Sequence, residues 1–237
     1  MDDHRPAGAV DCAVNSLSDL RLADETLDSI LGHVGRVGTE VLQGWDAAAT
    51  TLVERDRLAT FGCTDGRINA VDQFQYDQQR GPCVDALGGE IKYIDGDNIP
   101  PKWRQFAAVA ADHDVYSVLS FPLRLDDEVI GALNFYSRER DALRPGQREE
   151  GALFAAQAAV TIANAKALQS ATTHVAQLEE ALQTRTLIGQ ATGLLMAQEG
   201  LTSEEAFQKL VKVSQNANLK LREIAQRYVE TWETQGG

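Results

Sequence analysis

Seven polar side chains fall within eleven residues near the C-terminus of this 237-residue chain: Lys212, Ser214, Gln215, Asn216, Asn218, Lys220 and Arg222. Cations and amides at this density recognise anions and hydrogen-bonding edges. A second set lies upstream, where Arg185, Gly189, Thr192 and Met196 step at spacings of 4, 3 and 4, with Gln190 and Gly193 beside them. That spacing is helical. The two glycines nevertheless interrupt the segment TRTLIGQATGLLMAQEGLTSEEAF, each costing about 1 kcal/mol against Ala in a helix interior. A residue without a Cβ lets another backbone approach closely, which serves helix–helix packing as readily as access for a partner.

Bond-making chemistry is not legible. No Ser/His/Asp, P-loop or HExxH spacing occurs, and an enzyme is not expected. Cys12, Cys63 and Cys83 are an odd count without a CxxC pair, against a disulfide framework. Cys83, in GPCVDAL behind a helix-starting Pro82, reads as a small buried thiol, as does Cys63. The histidines (His4, His33, His113, His174) are scattered, so neither a metal nor another cofactor is expected.

The net charge is −13, yet residues 185–237 carry six basic and six acidic groups, so the rest of the chain holds all of the excess. The C-terminal segment is not the strongly basic patch of a typical nucleic-acid binder; binding of that kind would be modest per subunit. With no apolar run of membrane-spanning length and a polar, acidic start, the chain is expected to be cytoplasmic, with no membrane partner.

These residues need elements to position them. Residues 1–18 read as disordered. Leu20, Leu27, Ile30, Leu31, Val34, Val37, Val41 and Leu42 predict an amphipathic helix over 20–43. AAATTLVERD and RLATFGC read as a hairpin, IKYI as a short strand, WRQFAAVAADHD as a helix. VYSVLSFPLRL and EVIGALNFYSR read as two strands joined at Asp126–Asp127. Hairpin-spaced strands mixed with helices indicate an α+β fold with an antiparallel sheet over 19–148.

From 149 to 184 the pattern is a heptad seam with a stutter: Leu153, Val160, Leu168, Ala171, Val175, Leu178 and Leu182 are its expected dimer-interface residues. Arg185 and Gly189 follow and make poor knobs, so the coiled coil should end near Leu182. Residues 185–237 read as a three-helix bundle, with a capping box from Thr202 to Glu205. Its second helix buries Ala206, Phe207, Leu210 and Val213, and Asn218 caps the third, where Tyr228 and Trp232 are core.

RTLIGQATGLLMAQEGLTSEEAFQKLVKVSQNANLKLREIA resembles an ANTAR domain, the RNA-binding module of bacterial transcription antiterminators. GPCVDAL and SFPLRLDDEVIGALNFYSR are similar to a GAF domain. Together they resemble the GAF–ANTAR architecture. The resemblance implies a homodimer that binds paired RNA hairpins in a nascent transcript, and a GAF domain that senses an unassigned small ligand or serves dimerisation. RNA would then be met by Arg185, Gly189, Gln190, Thr192, Gly193, Met196, Lys212, Ser214, Gln215, Asn216, Asn218, Lys220 and Arg222. Loop bases are read by stacking and polar edges, phosphates by cations and N–H groups. One of the two glycines is expected to pack and the other to face RNA. Two alternatives stand beside this reading: a DNA-binding helix-turn-helix regulator, and a GAF ligand sensor whose helical tail recruits a protein.

Overall fold

The computed structural model describes residues 8–18, 20–22, 25–54 and 57–235. The chain divides into two compact units, Met1–Gln169 and Ser170–Gly237.

The first unit is α+β. It opens with α1 (Gly8–Ser18) and α2 (Leu27–Val41), followed by β1 (Ala47–Glu54) and β2 (Arg57–Phe61). Then come α3 (Ile68–Gln78), α4 (Pro82–Ala86), β3 (Lys92–Ile94) and α5 (Arg104–Asp112). β4 (Ser117–Leu125) and β5 (Glu128–Ser137) complete the sheet, in the order β2-β1-β5-β4-β3, with every neighbouring pair antiparallel.

Side chains alternate across strands, and both faces of this sheet are covered. Ala48, Leu52, Phe121, Leu133 and Phe135 pack with α1, with Leu31, Val34 and Val41 of α2, and with Phe154, Ala158 and Ile162. The last three belong to α6 (Gln147–Glu199), which begins in this unit. Its approach to the sheet depends on Gly151, where a Cβ would lie 2.2 Å from the Phe121 ring. The opposite face holds Ala47, Ala49, Val118 and Tyr136 against Ile68 and Val71 of α3 and Phe106 and Ala110 of α5.

Three expectations change. Residues 8–18 are helical rather than disordered, because Val10, Ala13, Val14 and Leu17 recur at helical spacing and bury Ala13 and Leu17; residues 1–7 of that expectation lie outside the described residues. The helix expected over 20–43 begins only at Leu27, where the Thr26 hydroxyl accepts from the Ser29 N–H at 3.2 Å. Helix α3 had no counterpart in the sequence reading, since its buried face includes Asp72, Gln75 and Tyr76 and so lacks an apolar period.

The second unit contains the end of α6 with α7 (Ser203–Ala217) and α8 (Leu221–Gln235). Ala191, Leu195, Ala206, Leu210 and Ala225 form its small core. The first helix of the expected bundle is the continuation of the expected coiled-coil helix, unbroken through both glycines. Gly200 (φ +68°) ends it, and the Thr202–Glu205 capping box starts α7. Among the described residues, no helix is long and apolar enough to cross a membrane.

Candidate nucleic-acid interface

In the second unit the lower part of α6 divides by burial. Ala191, Leu195 and, partly, Leu187 and Ile188 face the core, while Arg185, Gly189, Gln190, Gly193 and Met196 are exposed. Thr192 does not belong with the exposed set. It is buried, and its hydroxyl donates to the Ile188 carbonyl at 2.7 Å, because its helical position turns it toward the core. The glycines also depart from expectation: a Cβ on Gly189 or Gly193 would meet nothing within 4 Å, so among the described residues neither packs against another element.

The α7–α8 turn is built by residues that the sequence offered as RNA contacts. Asn218 takes the left-handed conformation (φ 52°) and closes α7 rather than capping α8. The Ser214 hydroxyl donates to the Leu219 carbonyl at 2.6 Å, which commits it to the turn. Lys212, Gln215 and Asn216 are exposed on α7. Val213 and Trp232, expected in the core, are 43% and 40% exposed.

Cations converge elsewhere. A groove of about 610 Å³ has Ala181, Thr184, Ile188 and Phe207 as its lining, with Arg185, Lys220 and Arg222 around it and Gln177 and Glu180 on α6. The structure thus brings together three of the expected residues from α6 and the α8 start. It adds Phe207, which the apolar pattern had assigned to the core. Arg222 is ion-paired with Glu180, whereas Arg185, Lys212 and Lys220 make no ion pair among the described residues. Lys209 pairs with Glu199 at 2.5 Å. An aromatic and aliphatic surface bordered by cations suits a planar, anionic ligand such as a nucleotide.

The first unit holds a different polar site, closed to solvent. The Asp72 carboxylate is buried and accepts from the Tyr136 hydroxyl, from Thr60 Oγ1 at 3.0 Å and from Gln75 Nε2 at 3.1 Å. Burial pushes its pKa up to about 6, although those hydrogen bonds pull the other way. Next to it, Cys83 Sγ lies 2.9 Å from Thr51 Oγ1 and accepts from Asn134 Nδ2 at 3.3 Å. Burial raises the Cys83 pKa strongly, with the Asp72 charge adding to it, and keeps the sulfur a thiol. Among the described residues no cluster of His, Cys, Asp and Glu could hold a metal ion.

An α+β unit with a doubly covered antiparallel sheet, followed by a helical bundle with a cationic groove, defines a two-module protein. The chain belongs to the GAF family: the GAF domain model matches residues 24–163, and the ANTAR domain model matches residues 176–229. This is the pairing of a GAF–ANTAR regulator. Among solved structures, it is similar to the GAF domain of a phosphoenolpyruvate-protein phosphotransferase from Coxiella burnetii, at 15% identity and a TM-score of 0.53, covering 69% of this chain and 95% of that one. The GAF domain of the Acinetobacter phosphoenolpyruvate-protein phosphotransferase is similar at 15% identity and a TM-score of 0.50, covering 70% and 97%. At that identity the likeness shows the fold alone. No curated protein matches the chain.

Proposed function

We propose that this protein is a cytoplasmic, homodimeric transcription antiterminator whose ANTAR domains bind paired stem-loops in a nascent RNA. The observation that carries this reading is the groove. It lies within the ANTAR-matched segment and gathers Arg185, Lys220 and Arg222 beside the Phe207 ring. An unpaired loop base would lie against Phe207 and Ile188, with its phosphates on the cations, as single-stranded bases and backbones are generally held. The exposed Gly189, Gln190, Gly193, Met196, Lys212, Gln215 and Asn216 would widen the contact. Asn218 would add only its exposed side chain, and Thr192 and Ser214 would act by shaping the fold.

The GAF domain would act as a sensor of a small ligand or as a dimerisation module. A catalytic role is disfavoured by its chemistry, since Cys83 and Asp72 are both buried and hydrogen-bonded. Dimerisation would use the seam on α6, where Leu153, Val160, Leu168, Ala171, Val175, Leu178 and Leu182 are all exposed.

The test is selection from a pool of two-hairpin RNAs with randomised loops, followed by gel shift. Enrichment of a loop sequence that duplex DNA does not displace is the expected outcome. Lys220→Gln should then weaken binding uniformly across loop sequences and lower the salt slope by about one unit per subunit. Failure to enrich any RNA, or equal competition by duplex DNA, overturns the reading.

A further inference from the structure

We propose that Glu180 is an intramolecular stand-in for an RNA phosphate, holding Arg222 in the free groove and surrendering it to the nucleic acid; this rests on the reading of the groove as an RNA site. Of the three groove cations, Arg222 is the one engaged by a carboxylate, while Arg185 and Lys220 have no ion pair among the described residues. The acid lies on α6 and the guanidinium in the first turn of α8, far apart in sequence. Neither is buried: the side chains are 62% and 40% exposed. A pair open to water is weak and readily exchanged.

Carboxylate and phosphate offer a guanidinium the same fork of oxygen acceptors. Glu180 lines the groove together with Arg222, so an RNA phosphate reaching that guanidinium meets a carboxylate already on it. The other ion pair among the described residues of this unit, Lys209 with Glu199, involves no residue that lines the groove. Any polyanion must therefore outcompete Glu180 before using the third cation. An RNA whose loop places a phosphate on Arg222 does so at little loss, and a poorly placed one leaves the internal pair intact. Glu180 thus acts as a threshold on affinity.

The experiment is a double-mutant cycle on the full chain, with an RNA enriched in the two-hairpin selection and dissociation constants measured at one fixed salt concentration. E180Q should tighten binding about two- to fivefold per hairpin, the range of an exposed ion pair. R222Q should weaken it, and E180Q should give no gain in the R222Q background. E180Q should stay folded by circular dichroism, with its unfolding midpoint lowered only by the small amount that loss of an exposed ion pair entails, separating competition from a structural role. An equal gain in both backgrounds would mean general repulsion of RNA by the acid, and that result, no gain from E180Q, or wild-type affinity of R222Q overturns the proposal while leaving RNA binding in place. If the wild type enriches no RNA, the reading beneath it falls as well.

Discussion

Asp72 shows how a single buried group sets a pH dependence. Its carboxyl sits at about 6 in the folded chain against an ordinary value of 3.8, with burial as the largest cause. Between those values the folded state holds a proton that the unfolded state has lost. The group's contribution to stability is therefore full below about pH 4, declines as pH rises to about 6, and stays at the lower level above it. Two units correspond to about 3 kcal/mol. Asp72→Asn cannot ionise, so the difference in unfolding midpoint between the two proteins should shift in the variant's favour as pH rises from 4 to 7. A constant difference across that range would mean that Asp72 titrates as an exposed carboxylate does.

At the scale of elements, the glycines of α6 give the sharpest prediction. Gly189 and Gly193 lie inside an unbroken helix, and a methyl group on either would touch no other element among the described residues. Alanine at each should stabilise the bundle by about 1 kcal/mol, read as a higher unfolding midpoint. If the bare surface serves RNA, the same variants bind the selected hairpins several-fold more weakly; unchanged binding would remove the glycines from the interface. The long helix, the capping box and both hairpins were legible in the sequence because each carries its signal locally, as heptad spacing, as Thr202 with Glu205, or as runs broken by short turns. Helix α3 was not, since a buried Asp72 and Gln75 read as a solvated face when their partners Thr60 and Tyr136 are distant. The site was legible in part for the same reason. Arg185, Lys220 and Arg222 were recognised as residues, but the inward turn of Thr192, the commitment of Ser214 to a turn and the place of Phe207 beside the cations are tertiary facts.

For the whole molecule, the question is how a bundle with no net positive charge over residues 185–237 could hold RNA. Two of its cations, Lys209 and Arg222, are already paired with glutamates, so each subunit has few cations to offer. In the proposed dimer, duplication would supply the remainder. Val175, Leu178 and Leu182 are 54%, 65% and 63% exposed at heptad spacing among the described residues, and a second copy pairing along that seam would bury them. A dimer holding one hairpin meets the second at an effective concentration of the order of millimolar, which raises affinity by roughly 10² to 10⁴ when the spacing fits. Leu178→Asn with Leu182→Asn should therefore give a monomer by sedimentation that is folded by circular dichroism. That monomer should bind an RNA with one hairpin as the wild type does, but lose the advantage of an RNA with two. Lengthening the linker between hairpins should erode the wild-type advantage and leave the monomer indifferent. If the double variant stays dimeric, the seam lies elsewhere; if it is monomeric yet still prefers two hairpins, the preference arises within one bundle and the need for a pair of subunits disappears.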